Sequence, residues 1–277
     1  MADAQPLSQE SIDSLLKIMV EQYGYDFRRY APASLSRRIC QHMDRYQVTN
    51  IDDLREKITQ DDQSFANLLR SLSVPVTEMF RDPPFFQYLR ERVIPWLATF
   101  PFIHIWHAGC ATGEEAWSMA ILLEQAGLLE RSQIYATDFN EEALEIARNG
   151  IYSTSFLSVW ERNYQSSGGD GQMADYCLQK YGSMRMSRKL QEHIIFANHN
   201  LVTDSVFGEM HLILCRNVLI YFNRDLQNSV LELFRDSLHD GGLLCLGPRE
   251  SMRFSSIAHE FEERNTRLRV FRLNAKT

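Results

Sequence analysis

Hydrophobic positions follow two different periods along the chain, and the period changes near residue 103. Over residues 1–75 apolar side chains recur three or four positions apart, as at Ile12, Leu15 and Met19, which predicts helices that each bury one face. From residue 103 onward, short β-rich runs alternate with helical segments. This alternation is typical of an α/β domain with a mainly parallel sheet, so the pattern predicts two unequal domains.

Two segments of the second domain depart from that alternation. The run RLRVFRL at 267–273 alternates apolar and basic residues, and it predicts an antiparallel strand at the edge of the sheet. Residues 153–193 include SSGGDG and are too long for a plain connection between two elements. We expect them to form an inserted subdomain or lid.

Composition and charge exclude several classes of protein. A net charge of -7 gives no general attraction to nucleic acid or anionic lipid, and the scattered, odd-numbered cysteines favour reduced thiols over disulfides or zinc. The N-terminal MADAQPLSQESID lacks the apolar core of a signal peptide, and prolines and histidines interrupt the longest apolar stretch. We therefore expect a cytoplasmic protein with no bound metal, no nucleic-acid partner and no membrane insertion, and we expect it to be a monomer.

A local basic patch lies in the helical region. Between residues 27 and 46 there are five arginines and one acidic residue. Arg38, Gln41 and Arg45 fall at i, i+3 and i+7, on a helix face opposite to the apolar one. The pattern fits a surface for an acidic partner, and it fits a plain solvated face about equally well.

The first strand of the second domain ends in a glycine turn, GCATGEE. Gly109 and Gly113 allow the backbone to approach a ligand closely, as in doubly wound folds. The spacing is neither G-x-G-x-x-G nor that of a phosphate-cradling loop. Glu114 and Glu115 at the start of the following helix would repel an anion. The turn therefore does not predict a polyphosphate ligand.

The next strand ends in IYATD, which puts Asp138 where an acid accepts hydrogen bonds from ribose hydroxyls. Together with the acidic turn, this predicts a ligand with a ribose and a neutral or cationic group. S-adenosylmethionine, a nucleoside with a sulfonium and an ammonium group, meets that description. The alternative is an arbitrary helix start followed by a solvent-exposed Asp.

A series of motifs extends this prediction. They are VTEMFRDP, CATGEEAWSMA, ATDFNEEALEIARNGIY, HNL, CRNVLIYF and GGLLCLGPRES. In order and spacing they resemble the chemotaxis receptor methyltransferase family, whose members use S-adenosylmethionine to methylate glutamates on the cytoplasmic helices of chemoreceptors. The resemblance implies a Rossmann-like methyltransferase domain at 103–277, an inserted small β-subdomain at 153–193, a helical receptor-recognition domain at 1–75, and a linker that covers the cofactor at 76–102.

The resemblance also implies roles for individual residues. The cofactor contacts that it implies are Thr77, Arg81, Glu115, Asp138, Asn200, Leu201, Arg216 and Asn217, and the glycine turn adds Gly109 to this set. Tyr221 is expected near the transferred methyl group and, with Arg81, in the catalytic set. Arg37, Arg38 and Arg45 are the expected receptor contacts. Pro75 stands where the family often has Asn, and Met79 where it often has a second Phe.

The absence of an evident catalytic triad or metal cluster agrees with this chemistry. A glutamate side chain is ionised at neutral pH, so its methylation needs alignment and no general base. Two other functions stay open from the sequence: a methyltransferase that acts on a small molecule, and a non-catalytic scaffold that binds S-adenosylmethionine.

Overall fold

The computed structural model describes residues 7–73, 77–206 and 208–275, and Pro75 lies outside them. The chain divides into two compact units. One comprises Met1–Val74 with Leu219–Val230, and the other comprises Pro75–Val218 with Leu231–Thr277. The sequence boundary, which assigned all of 103–277 to one domain, therefore does not match the contacts made by Leu219–Val230.

The first unit is helical, as the spacing of apolar residues predicts. Its helices are α1 (Gln9–Tyr23), α2 (Pro32–Arg45), α3 (Ile51–Gln60) and α4 (Asp62–Leu72). Side chains of Ser8, Asn50 and Asp61 accept hydrogen bonds from the first backbone N–H groups of α1, α3 and α4, which satisfies donors that a helix start leaves unpaired. Leu15 and Ile39 are among the side chains that form its core.

The predicted basic surface is wrong for Arg38, because this side chain is only 7% exposed. Buried residues of α2 recur at Leu35, Arg38, Ile39, His42 and Met43, which is the full i, i+3, i+4, i+7, i+8 stripe of a helix packed on a core. The apolar residues alone mark a narrower stripe and leave the position of Arg38 outside it. Arg37 and Arg45 are exposed, as expected.

Among its described residues, the second unit contains ten strands in two sheets. They are β1 (Ile103–Ala108), β2 (Ser132–Asp138), β3 (Ile151–Ser153), β4 (Cys177–Lys180), β5 (Ser183–Met186), β6 (Ile194–Asn198), β7 (Met210–Cys215), β8 (Leu238–Leu246), β9 (Phe261–Asn265) and β10 (Val270–Leu273). The larger sheet has the order β6-β2-β1-β7-β8-β10-β9. Its first five strands are parallel, and β10 is antiparallel to both neighbours. The mainly parallel sheet is thus confirmed.

The last four residues of the run at 267–273 form β10, which is antiparallel as predicted, but its predicted place at the edge is wrong. β10 lies between β8 and β9, and β9 occupies the edge. The sequence does not reveal β9, because four of its five residues, Glu262–Asn265, are at least partly exposed and three of them are charged. A strand at a sheet edge has few buried positions and therefore little hydrophobic pattern.

The helices of the second unit precede β1 or lie between its strands. They are α5 (Pro83–Tyr88), α6 (Ile94–Leu97), α7 (Glu114–Gln125), α8 (Glu141–Asn149), α9 (Leu157–Ser166) and α10 (Arg188–Gln191), and a last helix, α11 (Arg224–Ser237), begins in the first unit and ends in the second. Trp106 on β1, Trp117 on α7 and Trp160 on α9 are fully buried in the core. The smaller sheet, β3-β5-β4, is antiparallel and confirms the inserted β-subdomain. Its first strand begins at Ile151, two residues before the predicted start.

Candidate functional site

The loops that follow β1, β2 and β7 lie at the carboxyl edge of the sheet. β1 pairs with β2 on one side and with β7 on the other, so the order of the strands reverses at β1. In open α/β sheets this reversal opens a crevice for a ligand beyond the strand ends. Gly109, Asp138 and Arg216, all predicted cofactor contacts, each directly follow or end one of these strands.

The turn after β1 requires glycine at both predicted positions. Gly109 and Gly113 have φ of 76° and 91°, in the left-handed region that other residues adopt at a cost. A Cβ at Gly109 would lie 2.5 Å from Val218 Cγ2, and one at Gly113 would lie 2.8 Å from Ala147 Cβ. The glycines therefore serve the close packing of the turn against neighbouring elements.

Asp138 at the end of β2 holds the glycine turn in place. Its Oδ2 accepts a hydrogen bond of 2.9 Å from the Ala111 N–H, and its Oδ1 accepts one of 2.9 Å from the Asn140 N–H. Burial raises the pKa of Asp138, and these backbone hydrogen bonds act against the increase. Each carboxylate oxygen has a second lone pair, so Asp138 retains the capacity to accept a hydrogen bond from a ligand.

Arg216 after β7 connects three parts of the unit. Its Nη1 lies 3.0 Å from Glu115 Oε2 and its Nη2 lies 2.6 Å from Asp82 Oδ2. The guanidinium carbon lies 3.9 Å from the centroid of the Phe85 ring, within the range of a cation–π contact. Its Nε is buried and makes no hydrogen bond with the part of the chain that the structure describes.

Glu115 is ionised although it is partly buried. Burial would raise its pKa, but the hydrogen bond from His107 and the charge of Arg216 together lower it. Nδ1 of His107 donates to Glu115 Oε1 over 3.1 Å. An ionised carboxylate in this position can pair with a cationic group of a ligand.

The neighbouring Glu114 behaves in the opposite way. Burial raises the pKa of Glu114 to about 7, and its one described side-chain partner is the Thr112 hydroxyl, which donates to Oε2 over 2.7 Å. Of the two adjacent glutamates, one is therefore ionised and the other titrates near neutral pH. The sequence does not distinguish the two glutamates, because only their surroundings in the folded protein differ.

Glu250 is a residue of the site that sequence reasoning missed. Its buried carboxylate accepts hydrogen bonds from the N–H groups of Asn217 (3.1 Å), Val218 (2.8 Å) and Gly247. Asn217, a predicted cofactor contact, has a left-handed φ of 65°, which these bonds help to maintain. An acidic residue four positions after the end of the apolar strand β8 was the available signal.

The remaining predicted residues are less directly connected to this group. Thr77 and Arg81 are partly buried in the segment before α5. Asn200 and Leu201 form a turn after β6, in which the Asn200 side chain accepts the Val202 N–H over 3.0 Å. The contacts of Tyr221 assign it to the first unit.

The described residues fit a ligand that carries hydroxyl, ammonium and carboxylate groups. Asp138 and Glu115 supply acceptors, and the buried Nε of Arg216 supplies a donor with no other use in the described structure. Within residues 7–73, 77–206 and 208–275, no group of three or more His, Cys, Asp and Glu residues could hold a metal ion. Across the same residues, no helix has the length and apolar character needed to cross a membrane.

Comparison with known proteins identifies relatives over most of the chain. The family profile described as "CheR methyltransferase, SAM binding domain" matches residues 75–269, and "CheR methyltransferase, all-alpha domain" matches residues 10–73. A candidate methyltransferase named Cher3, from Pseudomonas putida, is 45% identical over 96% of this chain and 98% of its own.

Two further relatives differ in extent. An uncharacterised 104.1 kDa protein of Rhodobacter capsulatus is 33% identical over 88% of this chain, which spans only 26% of that larger protein. A protein named chemotaxis protein methyltransferase 1, from Vibrio cholerae, is 28% identical over 92% of this chain and 94% of its own.

Proposed function

Because the chain belongs to the CheR methyltransferase family, we propose that it methylates glutamate side chains on the cytoplasmic helices of chemoreceptors, forming glutamyl methyl esters. The family is one of methyltransferases that depend on S-adenosylmethionine. The relative from Vibrio cholerae is named a chemotaxis protein methyltransferase, and that name supports a protein of the chemotaxis system as the acceptor. The proposal places the protein in the cytoplasm.

The observation that carries the proposal is the ionised Glu115 beside the glycine turn. His107 and Arg216 keep this carboxylate charged, and it stands at a helix start where phosphate-binding proteins leave room for an anion. A cationic amino-acid group fits this place and a polyphosphate does not. The site thus favours S-adenosylmethionine over a nucleotide.

S-adenosylmethionine supplies a methyl group bonded to a positively charged sulfur. The acceptor glutamate is ionised at neutral pH, so no residue of the chain has to remove a proton from it. The residues instead bind and orient. Asp138 accepts hydrogen bonds from ribose hydroxyls, Glu115 pairs with an ammonium group, and Arg81 pairs with a carboxylate.

Further roles in this proposal follow the family resemblance. The other cofactor contacts are Thr77, Gly109, Asn200, Leu201, Arg216 and Asn217. Tyr221 acts with Arg81 in the catalytic set, and the exposed Arg37 and Arg45 meet the acidic receptor helix. Orienting two reactants in this way can supply roughly 7 to 11 kcal/mol of the barrier in favourable models.

The test is transfer of label from methyl-labelled S-adenosylmethionine to purified cytoplasmic domains of chemoreceptors. We expect label on the receptor that alkali releases as methanol, the behaviour of a glutamyl methyl ester. A receptor with its methylated glutamates changed to alanine, and the enzyme variant Asp138→Asn, serve as controls. Label on a small molecule instead would favour a small-molecule methyltransferase. Cofactor binding without any transfer would favour a scaffold.

A further inference from the structure

A buried arginine in the helical unit has no acidic partner. Arg38 is 7% exposed, and its Nη1 donates a hydrogen bond to the carbonyl of Leu72. No carboxylate within the described residues forms an ion pair with it. A buried charge is costly unless other contacts offset the loss of water, so the contacts that Arg38 does make indicate its role.

The main such contact is with Tyr221. The guanidinium carbon of Arg38 lies 4.2 Å from the centroid of the Tyr221 ring. At this distance a cation is attracted to the face of the ring, more strongly when water is excluded. The broad, planar guanidinium over the face of the ring also leaves the ring less room to tilt than a compact ammonium group would.

Helix α2 holds Tyr221 at a second point. The backbone N–H of Ala31, the N-cap residue directly before α2, donates to the Tyr221 carbonyl over 2.8 Å. Arg38 follows seven residues later, which is two helical turns and therefore the same face. One helix thus fixes both the backbone and the ring of Tyr221.

The residues after Tyr221 are held in the same way. Tyr30 and Phe222 form an antiparallel bridge with ring centroids 5.0 Å apart. The Asn223 N–H donates to the carbonyl of Arg29 over 2.9 Å. Residues 29–31, directly before α2, therefore pair with residues 221–223, and Arg38 adds the one described cationic contact to the Tyr221 side chain.

We infer that Arg38 is a positioning residue that sets the orientation of the Tyr221 side chain for methyl transfer, and that it is not a receptor contact. The inference rests on the proposed function, because the role of Tyr221 in the reaction belongs to that proposal. It links the helix that carries the exposed Arg37 and Arg45 to a residue of the catalytic set.

Two substitutions at Arg38 distinguish orientation of the Tyr221 ring from simple attraction of an acidic receptor by positive charge. Arg38→Lys keeps the positive charge but loses the planar group that lies over the ring, whereas Arg38→Met loses both. If Arg38 acted by attracting an acidic receptor, Lys would restore most of the activity. A lysine ammonium can still be attracted to the ring but cannot hold its tilt, so we expect Arg38→Lys to have a kcat close to that of Arg38→Met, about tenfold below the wild type, with unchanged KM for S-adenosylmethionine.

A double-mutant cycle tests whether Arg38 acts through the Tyr221 hydroxyl. Tyr221→Phe keeps the ring and removes the hydroxyl. In that background we expect Arg38→Met to cause no further loss of kcat, since the group that it positions is absent. Arg55→Met is the control: Arg55 is a structural arginine of the same unit, bonded to Ser14 and Asp52. It should keep the wild-type kcat.

An NMR measurement on the protein without receptor tests the contact between Arg38 and the Tyr221 ring. In protein labelled with ¹³C at the tyrosine ζ carbon, Tyr221→Phe assigns the Tyr221 resonance. We expect Arg38→Met and Arg38→Lys to shift this resonance and Arg55→Met to leave it unchanged. An unshifted resonance in both Arg38 variants would overturn the inference, whether or not they fold less stably.

The outcomes distinguish this inference from the proposed function. Independent, additive losses of kcat in the cycle, or full activity of Arg38→Lys, would overturn the role of Arg38 and leave the proposed function in place. A wild-type protein that transfers no methyl group to receptors would overturn the proposed function and, with it, the role of Arg38 in the reaction.

Discussion

Each of the two units buries an arginine against an aromatic ring, but the two arginines have different partners. Arg38 in the helical unit lies over Tyr221 at 4.2 Å, and Arg216 in the α/β unit lies over Phe85 at 3.9 Å. The charge of Arg216 is shared by the carboxylates of Asp82 and Glu115. The guanidinium of Arg38 instead donates a hydrogen bond to a backbone carbonyl.

The same difference extends to other buried groups. The helical unit also buries His42, whose described side-chain hydrogen-bond partner is the Ser71 hydroxyl. The α/β unit buries or half-buries acids, among them Glu114, Glu115 and Glu250. Among the described residues, the helical unit therefore fully buries two bases and no acid, whereas the α/β unit organises its charges as a network. Removing one member of a network leaves the others unpaired, and removing an isolated base does not.

The largest expected effect comes from breaking the network at Arg216. Arg216→Met leaves Glu115 without its ionic partner in a partly buried place, which costs about 3 to 5 kcal/mol when a buried pair loses one member. We expect a lower free energy of unfolding in urea and no measurable S-adenosylmethionine binding by calorimetry. The matched control is Arg188→Met, which removes an exposed pair with Glu192. If Arg216→Met were as stable as this control, the network would not exist in solution.

Buried titratable groups in the two units should change the free energy of unfolding in opposite directions as the pH rises. Burial lowers the pKa of His42 to about 4, below the value of about 6.5 for unfolded chains. The unfolded state therefore binds more protons between these values, and stability falls as the pH falls from about 6.5 toward 4, by at most about 3 kcal/mol. His42→Gln should flatten this acid branch in urea unfolding at several pH values. An unchanged acid branch in the variant would assign the loss to other groups.

Glu114 should act at the other end of the range. Its pKa of about 7 in the folded protein lies above the usual value of about 4.3. The contribution of Glu114 to the free energy of unfolding is then fully present below about pH 4.3 and is lost as the pH rises through about 7, by at most about 4 kcal/mol. Glu114→Gln should make the protein more stable at pH 8 and have little effect at pH 4. A variant less stable than the wild type at pH 8 would contradict the assignment.

A smaller effect is expected at Glu250. Glu250→Gln can keep its carbonyl oxygen toward Asn217 and Gly247, but it turns an amide NH₂ toward the Val218 N–H, so one of three bonds is lost. A lost hydrogen bond to a charged group costs roughly 1.5 to 3 kcal/mol. We expect weaker S-adenosylmethionine binding by calorimetry. Glu263→Gln, on the exposed strand β9, is the control and should bind like the wild type.

The smallest effect belongs to the exposed arginines of α2. Arg37→Glu with Arg45→Glu should slow receptor methylation several-fold at low salt, because surface charges act mainly on the rate of encounter, and the difference should shrink as salt screens the charges. S-adenosylmethionine affinity should not change. Equal rates of receptor methylation for the wild type and the double variant at low salt would show that this helix face does not attract the receptor.

The carboxyl-edge loops and the glycine turn could be predicted from the sequence, and most of their contacts could not. The parallel strands, the turn at Gly109 and the acid at Asp138 follow from local patterns of apolar residues, glycine and charge. The ion pair of Arg216 with Asp82 and the bonds of Glu250 to Asn217 join residues 134 and 33 positions apart. No local pattern contains such pairs.

By itself, the sequence determined the helical first region, the order of strands and helices, and the chemistry available at the strand ends, because these depend on spacings of a few residues. Only the tertiary structure decided that Arg38 is buried, that β10 lies inside the sheet, and that adjacent Glu114 and Glu115 hold their protons differently. Burial and pKa depend on which distant groups exclude water or supply charge at a given point, and those groups meet only when the chain is folded.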